Sequence, residues 1–183
     1  MPDLSVSAIS KLHFIRENRE IGGGVGLSNE ELAEYVRLFH GTIYRLAFSY
    51  VHNREEAEDL CQDAFLKLLS YRGTFEAPEN CKAWLIRVTV NLAKNLLRSG
   101  RITRRAEPDE NLPAPDGESR ELLEAVRSLP SHYRAVIHLH YYEGYSAKEI
   151  ARITGTTVTA VTTRLARARK KLKTMLSEED TDR

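Results

Sequence analysis

Three groups of side chains in this sequence are of types, and at spacings, that could do chemistry. Asp59, Gln62 and Asp63 stand at i, i+3 and i+4, beside Glu55. On a helix this spacing gathers all three on one face. Paired carboxylates do acid-base work only where a cleft shifts a pKa, and this face lies opposite an apolar stripe. The patch therefore reads as a docking surface for a partner helix or as a solvated face. The second group is Arg164, Arg167, Arg169, Lys170, Lys171 and Lys173, with no acidic residue between Arg152 and Thr174. Arg87, Asn91, Lys94, Arg98 and Arg101 recur at steps of four and three and form the third, which Arg104 and Arg105 extend. Two segregated cationic sets call for a polyanion. Nowhere do a nucleophile, a base and an orienting group converge, so the chain does not read as an enzyme. Cys61, Cys81 and the six histidines fall into no zinc-like spacing, so no metal or cofactor is expected.

The elements that must position these groups are helices. In the stretch 145–176, Ser146 with Glu149 three residues on makes a capping box, Ile150, Ala151 and Ile153 supply a buried side, and Gly155 ends the helix. Thr156 and Thr157 suit the cap of a second helix. In that helix Val158, Val161, Leu165, Ala168, Leu172 and Met175 repeat at steps of three and four as one apolar stripe. A short helix, a glycine turn and a long basic helix make a helix-turn-helix. Such a unit brings Thr157, Thr159, Ala160 and Thr163 to base edges in the major groove, with the arginines a turn or two later at phosphate or guanine.

The third group belongs to a helix expected at 83–101, with Trp84, Leu85, Val88, Leu92, Leu96 and Leu97 facing inward. Residues 71–82, which include Gly73 and Pro78, read as an exposed loop carrying Tyr71, Phe75 and Asn80. Cations beside an aromatic, polar loop suit the capture of unpaired bases, which needs both stacking and edge hydrogen bonds. A basic amphipathic helix also suits a membrane surface, but here the apolar side is needed for a core.

The rest of the chain frames these units. Ser28 with Glu31 is a capping box opening an aromatic-rich helix that reaches about Val51, with a break expected near Gly41. Asn53 caps the next helix, which buries Ala57, Leu60, Cys61, Ala64, Phe65, Leu68 and Leu69. Before them lies a mobile arm, 1–29, in which Ile9, Leu12, His13 and Ile15 precede the GGGVG break at 22–26. An acidic, proline-bearing linker covers 106–118. From Ser119 helical pattern returns, Leu122, Leu123, Val126 and Leu129 stopping at Pro130, after which Ser131 starts a helix with Tyr133, Val136, Ile137, Leu139 and Tyr141 inward. His132, His138 and His140 read as structural or surface residues rather than ligands. The 183 residues carry a net charge of only +1, so affinity for nucleic acid must come from local concentration of charge. No apolar run is long enough to span a membrane and the N-terminal residues show no apolar h-region, so a cytoplasmic, all-α, two-domain protein is expected.

Three blocks in order carry a family likeness. The segments EEAEDLCQDAFLKLL, KAWLIRVTVNLAKNLLRSGR and LPSHYRAVIHLHYYEGYSAKEIARITGTTVTAVTTRLARARKKL resemble the polymerase-binding, promoter-melting and minus-thirty-five-reading segments of bacterial extracytoplasmic-function sigma factors, members of the sigma-70 family. Asp63 stands where a Glu is commoner, and Cys61 where an aliphatic is. The resemblance implies a region 2 domain at 30–105 and a region 4 domain at 119–177. It implies that Asp59, Gln62 and Asp63 engage the clamp coiled coil of core RNA polymerase. Phe75 and Asn80 would capture a flipped minus-ten base, and Trp84, Arg87, Asn91, Lys94 and Arg98 would hold the melted strand. Thr156, Thr157, Thr159, Ala160, Thr163, Arg164 and Arg167 would read the minus-thirty-five element. The linker would lie in the RNA path, its carboxylates suiting a basic channel. Promoter DNA and core polymerase are the implied partners. Exposed apolar edges on both domains add an anti-sigma protein that holds them together when inactive. The competing reading is a free-standing helix-turn-helix regulator, which has no use for the Asp59 patch or the base-capturing loop.

Overall fold

The computed structural model describes residues 26–99 and 120–179, all of their regular structure helical. The arm up to residue 25, the linker at 106–118, and Arg101, Arg104 and Arg105 lie outside the described residues.

The first three helices build one unit. α1 (Asn29–Val51) opens on the expected capping box, with Ser28 N donating to Glu31 Oε2 at 2.7 Å and Glu31 N to Ser28 Oγ at 3.1 Å. It runs unbroken through Gly41, because the aromatic and aliphatic residues on either side bury a continuous face that outweighs one glycine. His52 ends it in the left-handed region, φ 56°, and Asn53 caps α2 (Arg54–Leu69) by accepting from Glu56 N at 3.2 Å. All seven residues expected on the buried side of α2 are buried.

α3 (Pro78–Arg98) differs from the sequence reading at both ends. It starts five residues early because Pro78 occupies the first helical position, where its fixed φ and missing N–H suit a helix. The loop therefore closes at Ala77. The buried side is also rotated from the expected stripe: Cys81, Leu85, Ile86, Thr89, Val90 and Ala93 are buried, Trp84, Val88, Leu92 and Leu96 only half so, and Leu97 is 40% exposed. α3 has neighbours on two sides, α1 and α2 on one and the second domain on the other, so a one-sided apolar stripe mispredicts its burial.

The second domain follows as α4 (Arg120–Ser128), α5 (Ser131–Ile137), a π turn (His138–Tyr142), α6 (Ala147–Thr154) and α7 (Val158–Glu179). The π turn widens the helix, with Glu143 N donating to His138 O at 3.2 Å. That extra residue per turn breaks the 3.6 period, so Tyr141, expected inward, is 55% exposed while His138 and Leu139 are buried. α7 packs on α4, α5 and α6. The two domains also pack on each other, α1 against α5 and α3 against α6, and their buried residues form one continuous apolar cluster.

Candidate nucleic-acid interface

The helix-turn-helix forms as its residues dictate. Ser146 and Glu149 make the reciprocal cap, Ser146 N to Glu149 Oε2 at 2.9 Å and Glu149 N to Ser146 Oγ at 3.3 Å. The Ser146 hydroxyl, donating to Glu149 Oε2 at 2.6 Å, and then the Ser146 N–H hold the Glu149 carboxyl below its ordinary pKa. Gly155 caps α6 at φ 64°, a conformation that penalises any side chain. Thr157 Oγ1 then accepts from Ala160 N at 3.1 Å and starts α7. Val161, Leu165 and Ala168 are buried, Leu172 and Met175 half-buried. Val158, placed by its spacing in the buried stripe, is 44% exposed, because it sits in the first turn before α7 reaches the body of the domain.

The solvent side of the start of α7 carries Thr157, Thr159 and Thr163, all exposed, with Thr156 and Ala160 half-buried beside them. Small hydroxyl and methyl groups at a helix start, next to unpaired backbone N–H groups, fit base edges and a phosphate. Arg167 is exposed one turn on, whereas Arg164 is half-buried and faces the first domain. Burial, then the charges of Arg164 and Arg98, push the Lys94 pKa down, and Arg164 also acts on Tyr50 of α1.

The basic side of α3 is exposed at Arg87, Asn91 and Arg98, but two of its cations are engaged by the second domain. Arg87 Nε donates to Ile153 O and its Nη2 to Arg152 O, each at 3.0 Å, and Lys94 Nζ donates to Thr154 O at 3.4 Å. These are the last carbonyls of α6, acceptors that no turn of the helix satisfies, at the negative end of its macrodipole. Two side chains expected on a melted DNA strand thus cap the first helix of the other domain. Asn91 and Arg98 on the same helix remain exposed.

The loop before α3 is a packed aromatic unit rather than a free platform. Tyr71 and Phe75 stack with centroids 4.8 Å apart, Trp84 lies 5.2 Å from Tyr71 and 6.1 Å from Phe75, and Tyr35 meets Phe75 edge-on at 6.1 Å. Gly73 sits under the Tyr71 ring, and a Cβ there would come within 2.7 Å of its hydroxyl. Asn80, expected in the loop, is exposed in the first turn of α3. On α2, Asp59 and Asp63 are exposed, while Gln62 is half-buried with its amide nitrogen buried and no hydrogen-bond partner.

Sequence reasoning missed the polar groups that join the two domains. The Glu143 side chain is 5% exposed and gathers Lys82 Nζ at 2.8 Å, Thr42 Oγ1 at 3.2 Å, Arg45 Nη2 at 3.6 Å and His138 Nε2 at 3.5 Å. Burial alone would raise the Glu143 carboxyl, but the His138 and Lys82 groups against it outweigh that and hold it at about 2. Arg134 reaches across similarly, Nε to Ser49 O at 2.7 Å, with Nη1 on the carbonyls of Arg127 and Leu129. Thr42 and Glu143 are 101 residues apart, and no local pattern links them.

Comparison with known proteins bears on both domains. The sigma-70 region 2 family matches residues 35–102, and the sigma-70 region 4 family matches residues 119–172. The chain is 36% identical over 142 residues to the RNA polymerase sigma factor SigV of Bacillus subtilis, covering 75% of this chain and 86% of SigV. It is 32% identical over 162 residues to the ECF RNA polymerase sigma factor SigE of Mycolicibacterium smegmatis, covering 81% of this chain and 63% of SigE. The chain belongs to the extracytoplasmic-function sigma factors of the sigma-70 family. Among solved structures, the sigma factor superposes with a TM-score of 0.67, at 27% identity, on the co-crystal structure of the sigma factor RpoE with the anti-sigma factor NepR from Bartonella quintana. That match covers 79% of this sigma factor and 96% of the other chain, so it extends over both domains. Among the described residues, no helix of this sigma factor is long and apolar enough to cross a membrane.

Proposed function

We propose that this sigma factor is a dissociable promoter-specificity subunit that docks on bacterial core RNA polymerase through the α2 patch and contacts one promoter at two places. The turn before α7 and the N-terminal part of α7, with Thr156, Thr157, Thr159, Ala160, Thr163, Arg164 and Arg167, read the minus-thirty-five element. Trp84, Arg87, Asn91, Lys94 and Arg98 of α3 hold the melted minus-ten strand. Asn80, exposed at the start of α3, is better placed to meet an unpaired base than Phe75, whose ring is already stacked on Tyr71. The observation that carries this reading is the pairing, in one chain, of a capped helix-turn-helix with a second basic helix on a separate domain. A regulator of duplex DNA has use for only the first.

The protein does no bond-making of its own in this scheme. Its work is binding: phosphate contacts set affinity and register, base contacts set sequence. Region 2 is taken as residues 30–105 and region 4 as 119–177, joined by the acidic linker, and the whole acts in the cytoplasm. An anti-sigma protein is proposed as the negative partner, in keeping with the similarity to RpoE, which was solved with one. Run-off transcription with purified core polymerase tests the scheme. Start-site-specific transcripts that require the added chain are expected, and their absence from every promoter in a genomic template pool would overturn it.

A further inference from the structure

Gly144 and Gly155 take left-handed backbone, φ 73° and 64°, with open space where a side chain would begin. Gly73 is the reverse case. Its φ lies outside that region, so the backbone does not call for glycine, yet a Cβ there would meet Tyr71 Oη at 2.7 Å, Cζ at 2.8 Å and Cε1 at 2.9 Å. Contacts that short do not persist, so any side chain at position 73 drives the Tyr71 ring away. The three nearest atoms all belong to that ring, the movable end of a side chain, and none to backbone.

The neighbours of the ring show what its place is for. Tyr71 N donates to Leu68 O at 3.0 Å, which pins its backbone to the end of α2. Its ring stacks on Phe75 at 4.8 Å, 14° from parallel, and stands 5.2 Å from Trp84 at a tilt of 52°. Trp84 lies one turn beyond Asn80 on α3, and Arg87 and Asn91 follow at steps of three and four, so the four share one face. Asn80, Arg87 and Asn91 are exposed and Trp84 is half-buried. Tyr71 and Trp84 thus make an aromatic wall beside the polar groups assigned above to unpaired bases.

We propose that Gly73 is a positioning residue for capture of the minus-ten strand: lacking a side chain, it keeps open the space in which Tyr71 lies against Phe75 and Trp84. The stacking wall is then already built when a base arrives. The proposal rests on the functional reading above. Rings packed beforehand lose no rotamer freedom on binding, whereas a displaced Tyr71 must first be ordered. Stacking tolerates any base, so Gly73 governs how firmly the strand is held and not which sequence is read.

Trp84 is the only tryptophan in the chain, so its emission reports on the wall. In the full chain, Gly73→Ala should move that emission away from the parent's and toward that of Tyr71→Leu. DNA binding is measured on holoenzyme formed with core polymerase, using a promoter fragment with an unpaired minus-ten segment and a fully paired fragment carrying only the minus-thirty-five element. Each variant should bind the first fragment about tenfold more weakly, the scale of one lost base stack. Each should bind the second as the parent does, which also shows that it is folded and on the polymerase. Gly73→Ala combined with Tyr71→Leu should bind no more weakly than Tyr71→Leu alone, because Gly73 acts through that ring. Unchanged Trp84 emission in Gly73→Ala, losses that add in the double variant, or equal weakening on both fragments would each overturn the proposal. So would altered emission with undiminished binding. A parent holoenzyme that fails to prefer the unpaired fragment over a paired one of the same sequence would overturn the functional reading, and this proposal with it.

Discussion

His52 and Glu143 respond to acid in different pH windows. His52 ends α1 at φ 56°, its Nε2 is buried without a partner, and burial together with Arg134 and Arg127 pushes its pKa down to about 4. An unfolded histidine titrates near 6.5, so protonation favours unfolding: this stability is intact above about 6.5 and is lost as pH falls toward 4. Burial shifts His40 and His132 in the same direction. Glu143, held at about 2 against an unfolded value near 4.5, keeps its contribution above that range and loses it between about 4.5 and 2. Urea midpoints measured from pH 7 to pH 3 should therefore fall in two stages. His52→Asn, which also tolerates the left-handed conformation, should flatten the upper stage, and Glu143→Gln the lower. At this scale the caps were fully legible: Ser28, Asn53 and Ser146 announce themselves by residue type and a partner three places on. The burial of Leu97, Tyr141 and Val158 was misjudged, because each depends on what lies beside the helix rather than on the helix.

Among the elements, the helix-turn-helix was the most readable, since every signal in it is local. Gly155→Ala should lower stability by about 1 kcal/mol, because φ 64° crowds a Cβ against the backbone; thermal unfolding of the full chain checks it. Arg164→Ala and Arg167→Ala should each weaken transcription from minus-thirty-five-dependent promoters and reduce the salt slope of promoter binding by about one. Unchanged transcription from both would remove α7 from the promoter. α3 was harder to read. Pro78 looked like a loop residue, yet proline at a first helical position starts a helix as readily as it interrupts one. That ambiguity moved Asn80 from loop to helix. The aromatic set fared similarly: spacing brings Tyr71 and Phe75 near Trp84, but only packing decides that the rings stack on one another instead of waiting for a base.

For the whole molecule, the proposed polymerase contact is the sharpest discriminator. Reversing both charges, Asp59→Lys with Asp63→Lys, should abolish co-elution with core polymerase while leaving the helical spectrum unchanged, since both side chains are exposed. Retained co-elution would leave the α2 patch without its proposed role. By itself the sequence determined the all-helical class, the helix-turn-helix, the cationic sets on α3 and α7, and the family, because periodicity, capping and charge are properties of neighbours a few residues apart. Only the tertiary structure decided that Arg87 and Lys94 are already engaged by α6 and that Glu143 joins the domains. Those contacts link groups 60 to 101 residues apart. Electrostatic and hydrogen-bond partners at such separations leave no period in a chain, since their meeting depends on the packing of two domains and not on the pitch of any helix.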